Sequence, residues 1–368
     1  MQIAEFTLER YFARWEFTAR HMLGASDVEP YRLDELLALA DDDARRRWDS
    51  LTLGYTESLG LPALRGEIAR LYQRIGADDV ITFAGAEEGV FLGMHALLEP
   101  GDHAVVVWPS YQSLHEVARS TGASVTLVPL DPRDWSLDID AVAAAMRPNT
   151  RVIVVNSPHS PTGSQLSAAQ LAQLVSIAER HGAHLFSDEV YRLLEHGAPL
   201  LPAAADCSDR AISLGVMSKA FGLAGLRVGW IATRDRALFA RLASLKDYTT
   251  LCNSAPSEIL SLIALRAKDR VLERSRAIIG HNLELLDAFF ARNDDRFAWV
   301  RPRAGSVCFP TLLRGDVDEF AATLVEREGV LIVPGSQFEH PGNHFRLGYG
   351  RRDMGEALSR LEAFAREV

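Results

Sequence analysis

Cysteine is scarce: Cys207, Cys252 and Cys308 are the only three in 368 residues, far apart and without a CxxC spacing. That argues against a disulfide framework or a cysteine-rich zinc site, and makes a reducing, cytoplasmic setting the expectation. Basic excess is also missing, since Lys and Arg number 39 against 49 Asp and Glu, a formal net charge of -10. Nucleic acids and anionic membranes are held by clustered Lys and Arg, so neither is an expected partner, although a local pocket for a small anion stays open. No uncharged apolar run approaches the roughly 20 residues that span a bilayer, and the start, Met1 to Phe6, lacks a basic and apolar leader pattern. Fixed-period repeats and low-complexity tracts are absent too, which removes solenoids and disordered tails. What remains is a globular composition, 48% hydrophobic and 24% charged, with length for about two domains at roughly 100–200 residues each.

From about residue 64, short β-branched runs alternate with stretches of helical period. The runs Val80-Phe83, Ala104-Trp108, Ser124-Val128, Arg151-Val155, Ala183-Ser187, Arg210-Leu214 and Arg227-Ile231 read as strands. Between two of them, Ser167-His181 carries Leu171, Leu174, Val175 and Ile177 at helical spacing, with Gly182 as a stop. Strand and helix in alternation predict an α/β fold, a mostly parallel seven-stranded sheet sandwiched by helices, whose ligands gather at the carboxyl ends of the strands. After about residue 270 the texture changes. A long helix near Val271-Arg292 precedes strand-like pieces Phe297-Arg301, Ser306-Phe309, Val330-Val333 and Phe345-Tyr349, interleaved with helices near Asp316-Glu328 and Met354-Arg366. The first 45 residues fit neither pattern. The expected division is a large domain over 46–270 and a small, discontinuous α+β domain from 1–45 and 271–368.

Three segments carry chemistry, each just after a predicted strand. In Ser213-Leu-Gly-Val-Met-Ser-Lys219-Ala-Phe-Gly222-Leu-Ala-Gly225-Leu-Arg227, a lysine is followed by glycines that let backbone approach a ligand and by an arginine able to clamp a phosphate. A buried lysine loses basicity readily, which suits Schiff-base chemistry; a solvated loop lysine is the bland alternative. In Phe186-Ser-Asp188-Glu189-Val190-Tyr191, a carboxylate at the end of a buried strand needs a cation, and a pyridinium nitrogen would serve; a helix N-cap is the plainer reading. In Asn156-Ser157-Pro158-His159-Ser160-Pro161-Thr162-Gly163, the prolines and glycine force a rigid turn. Together they bring three polar elements to one sheet edge.

This ordered set resembles the fold type I, pyridoxal-phosphate-dependent aminotransferases of the class I/II family, from about Leu53 to the carboxyl terminus. The resemblance implies the cofactor pyridoxal 5′-phosphate and transfer of an amino group from an L-amino acid to a 2-keto acid through a Schiff base on Lys219. It implies that Asp188 pairs with the ring nitrogen, Tyr191 with the ring hydroxyl, and Arg227 with Ser218 holds the phosphate. Gly85-Ala86-Glu87 matches the family's glycine loop at a helix N-terminus. Tyr111 matches the aromatic stacked on the ring, and Arg346, in His344-Phe-Arg346-Leu-Gly, the arginine that takes the substrate α-carboxylate. Tyr55, in Gly54-Tyr55-Thr-Glu-Ser-Leu-Gly60, matches a tyrosine that reaches the neighbouring subunit's phosphate, which implies a homodimer. On spacing alone Arg346 reads as a surface ion-pair partner and Tyr111 as an ordinary aromatic; their roles come from the resemblance.

Three positions depart from the family pattern. Ser160 stands where an asparagine amide usually meets the ring hydroxyl and the substrate, so an altered Schiff-base pKa is expected. Val216 replaces a common phosphate-binding hydroxyl, so that either one hydrogen bond to the phosphate is lost or Ser213 or a neighbour supplies it. Glu87 lies beside the phosphate, where its side chain should point away or be neutral. No second arginine stands out for a dicarboxylate side chain, and the aromatic stretch Tyr11 to Phe17 is expected either to close over the site, favouring an apolar or extended side chain, or to join the small-domain core. A looser similarity in Lys246-Asp247-Tyr248-Thr249-Thr250-Leu251, Val333-Pro-Gly335-Ser336 and Phe338-Glu-His340-Pro341 points to the capreomycidine synthase branch of the family, and so to a lyase or cyclase acting on an arginine-like amino acid as the alternative. An aminotransferase-like transcription regulator would need a DNA-binding module, and no helix-turn-helix with a basic recognition helix precedes Leu53.

Overall fold

Residues 2–367 are described by the structure, a computed structural model. Seven strands form the central sheet: β1 (Val80–Phe83), β2 (His103–Trp108), β3 (Ser124–Pro129), β4 (Thr150–Asn156), β5 (His184–Asp188), β6 (Ala211–Val216) and β7 (Gly229–Ala232). Their order is β1-β7-β6-β5-β4-β2-β3. Strands β2 to β6 pair in parallel, and β7 runs antiparallel to both β1 and β6. The middle of β4, Val152 to Val155, is buried on both faces, as a parallel sheet covered by helices on both sides requires. Each strand lies where the sequence predicts it, with ends shifted by up to two residues. The largest shift at a strand start has a local cause. Arg227 adopts a left-handed backbone (φ 51) at the end of the short helical turn Ala224–Leu226, so β7 begins only at Gly229.

Helix Ala168–Arg180 shows why the pattern was readable. The Ser167 side chain accepts from the Gln170 N–H while the Gln170 side chain accepts from the Ser167 N–H, so the first turn is capped reciprocally. Leu171, Leu174 and Ile177 turn inward, and Gly182 (φ 64) follows the helix end.

The carboxyl-terminal part builds smaller sheets: β8 (Phe297–Ala298) with β10 (Thr311–Leu312), and β12 (Phe345–Gly348) between β9 (Val307–Cys308) and β11 (Val333–Pro334). The expected strands over 297–301, 306–309 and 330–333 are therefore shorter than the apolar runs, because only residues that find a ladder partner count as strand. Val330 makes a lone parallel bridge to His21 instead. Helices Lys268–Arg292, Val317–Glu328 and Met354–Glu367 pack around these sheets. Residues 21–25 run beside β12, and at Gly348 a Cβ would sit 1.7 Å from the Ala25 carbonyl oxygen, so only glycine permits the approach. Helix Thr7–Trp15 is tied to two places: the Thr7 N–H donates to the Gln112 side chain at 3.0 Å, and the Tyr11 hydroxyl donates to the Ile332 carbonyl at 2.8 Å. No helix among the described residues is long and apolar enough to cross a membrane.

Candidate active site

Asp188 ends β5 and is 5% exposed. Its carboxylate accepts from the Val190 N–H at 3.2 Å. Burial pushes the carboxyl up to about 7, only partly opposed by that N–H and by the Lys219 charge. The adjoining turn is pinned to the same strand end, since the Asn156 amide donates to the Asp188 carbonyl at 2.9 Å and its oxygen accepts from the Ser160 N–H at 2.6 Å. His159 braces the turn through Thr162, at 2.8 Å, and burial pushes its ring down to about 4, so it stays neutral.

Lys219 follows β6. Its ammonium donates to the Ser26 hydroxyl at 2.7 Å and lies 5.6 Å from the centre of the buried Tyr191 ring. Asp188, Tyr191 and Lys219 thus meet at one sheet edge, as do Ser160 and Asn156.

A second corner lies at the amino end of helix Ala86–Leu97. Gly85 precedes it with φ 84 and no side chain caps the helix. A Cβ on Gly85 would fall 2.4 Å from the Arg227 guanidinium, so the backbone and that cation share a tight concave space. Ser218 is buried nearby in sequence, one residue before Lys219. Val216 is buried, and Ser213 does not replace the lost hydroxyl: fully buried, it donates to Glu189 at 2.9 Å and accepts from the Ala205 N–H at 3.0 Å. Of the alternatives, the one that names Ser213 is corrected. Burial pushes the Glu87 carboxyl up to about 7, with the neighbouring Ser113 hydroxyl opposing and Glu9 and Asp188 adding to the rise.

Arg346, on β12, is 2% exposed. It donates to the Gly24 carbonyl at 2.8 Å and lies between the Phe12 and Phe338 rings, 5.6 and 5.3 Å from their centres. Its Nε has no partner, and burial lowers its pKa. The sequence reading of an exposed ion-pair partner does not survive this burial. Tyr111 donates to Glu9 at 2.8 Å and packs on Phe6 at 5.0 Å; burial, with Glu87 and Glu9, raises its pKa well above the usual value. Tyr55 is 90% exposed and lines a surface groove with Leu53, Cys252 and Pro256. Sequence reasoning missed Ser26 and Glu9, whose contacts join residues more than 100 positions apart and leave no local signal, whereas Phe12 belongs to the aromatic stretch that the sequence brings to the site.

The profile of aminotransferase class I and II matches residues 31–361. The chain belongs to that family. This aminotransferase is 32% identical over 347 residues to capreomycidine synthase of Streptomyces vinaceus, covering 93% of this chain and 88% of that protein. It is also 32% identical over 381 residues to the arginine–pyruvate transaminase AruH of Pseudomonas aeruginosa, covering 97% and 95%. A PLP-dependent aminotransferase from Streptococcus suis superposes with a TM-score of 0.94 at 29% identity, covering 100% of this chain and 99% of that one. The chain is an enzyme, a pyridoxal-phosphate-dependent transaminase acting on amino and keto acids.

The residues of this aminotransferase fit that cofactor. Asp188 is a buried carboxyl short of a cation, which a protonated ring nitrogen supplies. The helix end that follows Gly85 has no side-chain cap, and with Arg227 across from it offers first-turn N–H groups and a guanidinium for a phosphate. Lys219 presents an amine 5.6 Å from the Tyr191 ring whose charge reaches Asp188.

Proposed function

We propose that this aminotransferase moves an amino group from an L-amino acid to a 2-keto acid with Lys219 as the proton-transfer group. Asp188 and Tyr191 would hold the cofactor ring, with Tyr111 against its face and Ser160 at its hydroxyl. Arg227, Ser218 and the backbone of Gly85, Ala86 and Glu87 would hold its phosphate. When bound, pyridoxal 5′-phosphate supplies the aldehyde that condenses with amines and the electron sink that makes the substrate Cα proton acidic. Arg346 fixes the substrate α-carboxylate through charge-assisted hydrogen bonds, and its unpartnered Nε supports that role. Lys219 then takes the proton from Cα, a step in which a positioned base typically contributes about 10²–10⁴-fold. Asp188, ionised once a cation faces it, keeps the ring nitrogen protonated. A protonated Glu87 would add no charge beside the phosphate. The observation that carries this reading is the 95% coverage of a carboxyl, Asp188, beside a lysine at one strand edge.

A homodimer, with Tyr55 reaching the neighbouring site, is part of the proposal. Its support is the exposure of Tyr55, at 90%, and Leu53, at 86%, which a second copy would cover. The domain division into 46–270 and 1–45 with 271–368 is supported by the His21–Val330 bridge and the Arg346–Gly24 bond. A cytoplasmic location accords with the free Cys207, Cys252 and Cys308.

The similarity to capreomycidine synthase favours a second reading, a lyase or cyclase acting on an arginine-like amino acid. One experiment separates the two. Donor amino acids are mixed with the holoenzyme, and transamination converts the visible band stably to the pyridoxamine band, which a 2-keto acid then reverses. Consumption of the amino acid with the original band regained unaided, without an added 2-keto acid, selects the second reading.

A further inference from the structure

Helix Thr7–Trp15 continues in helical geometry through Glu16 (φ -55, ψ -39). At 100° per residue, Glu9, Phe12 and Glu16 share one face. The direction of that face is fixed by contacts on two of the three: Phe12 lies 5.6 Å from the Arg346 guanidinium, and Glu9 accepts from Tyr111 at 2.8 Å. Glu16 therefore lies on that same face, exposed to solvent, and it feels the charges of Glu9, Asp27, Arg351 and Lys219. Arg351 is occupied, donating to Asp27 at 2.9 Å. Among the described residues Glu16 makes no side-chain hydrogen bond or ion pair. Beside Phe12, Arg346 is a buried cation whose Nε has no partner among the described residues.

The cleft thus offers a buried cation for one end of a ligand and two carboxylates, about 10 Å apart along the helix at 1.5 Å per residue, for the other. We infer that Glu9 and Glu16 select amino acids whose side chain ends in a cation, such as a guanidinium or ammonium group. This rests on the proposed function, since it places the α-carboxylate on Arg346 and Cα beside Lys219. A side chain leaving Cα away from the sheet edge meets the helix face, where an acidic side chain is repelled and a neutral one gains nothing from the two carboxylates, Glu9 bonded to Tyr111 and Glu16 open to solvent. The aromatic rings of this segment then serve as walls, Phe12 for Arg346 and Phe6 for Tyr111, rather than as an apolar pocket.

The test compares isosteres that differ in charge. α-Methyl-L-arginine and α-methyl-L-citrulline lack a Cα hydrogen, so they bind the holoenzyme without turning over. Calorimetric titration is expected to give the arginine analogue about tenfold or more tighter binding, the size of one charge-assisted hydrogen bond. In Glu16→Gln and Glu9→Gln that ratio collapses to about threefold or less. Equal binding of the two analogues by the wild-type enzyme overturns the inference, as does failure to bind either, or a ratio unmoved by both substitutions. Conversion of L-arginine to its keto acid is followed separately. Its failure, with the charge preference intact, counts against transamination and not against the selection of a cation.

Discussion

The carboxyl edge of the seven-stranded sheet and the segment over residues 6–27 line the same cleft by different means. Asp188 and Lys219 hang from strand ends that a continuous hydrogen-bond ladder and a two-sided apolar core hold in place. Glu9, Phe12 and Ser26 come from a short helix and a turn outside the sheet, tied down by side-chain bonds to Gln112 and Ile332 and by backbone bonds to Gly329, Leu331 and Gly348. Groups that move protons sit at the ends of sheet strands, whereas Glu9 and Phe12 sit on a helix held from outside by side-chain bonds, an arrangement expected where chemistry needs fixed geometry and specificity needs adjustment.

Substitutions on either side test that contrast. Lys219→Ala removes the base at the rigid edge, and kcat is expected to fall by about 10³-fold or more in single-turnover assays, with loss of the cofactor's lysine-linked absorbance. A variant that kept both would move the base elsewhere. Arg346→Gln removes the charge that the amino-terminal segment surrounds. KM for amino donors should then rise by about 10²-fold, while thermal stability stays level or improves because a buried cation is gone; unfolding in place of a KM effect would make Arg346 a strut. Phe12→Ala opens one wall of that arginine, and a rise of about tenfold in KM with kcat little changed is the outcome that keeps the two regions separate. A matching fall in kcat would join them.

The fourth prediction concerns protons and the sheet edge alone. Burial raises the Asp188 carboxyl to about 7 in the cofactor-free chain, so between about pH 4 and pH 7 the folded state holds a proton that the unfolded state has released. The stability linked to it is full below pH 4 and lost as pH rises through 7. Asp188→Asn should therefore stabilise the cofactor-free chain by roughly 1–3 kcal/mol at pH 8 and hardly at pH 4, measured by denaturant midpoints. The smallest effect is expected at Ser160→Asn. Its amide donates where the hydroxyl reaches less far, so the midpoint of the spectrophotometric Schiff-base titration should fall by up to about one pH unit, and an unmoved midpoint removes Ser160 from the ring hydroxyl.

The contrast also explains what was legible. Strands such as β2 and β4 announce themselves because burial on both faces demands unbroken β-branched runs, as in Val152 to Val155. Lys219, Asp188 and Arg227 stand in motifs because glycine, strand end and charge must follow each other locally. The two-residue strands β8 to β11 are set by tertiary partners, so Val330 pairs with His21 although its own run looked like ladder. Ser26, Glu9 and Glu16 carried no signal, since a carboxylate on an amphipathic helix looks solvated until its face is known. The same holds for Ser213, whose hydroxyl looked available until Glu189 was found to use it.

The bond from Arg346 to the Gly24 carbonyl has a bearing on how such an enzyme diversifies. The strand that carries the arginine is fixed, but the carbonyl it rests on belongs to the same short stretch of chain as Glu9, Phe12, Glu16 and Ser26. Recombination or insertion confined to those two dozen codons could therefore exchange one ligand preference for another in a single event, leaving every residue of the central sheet as inherited.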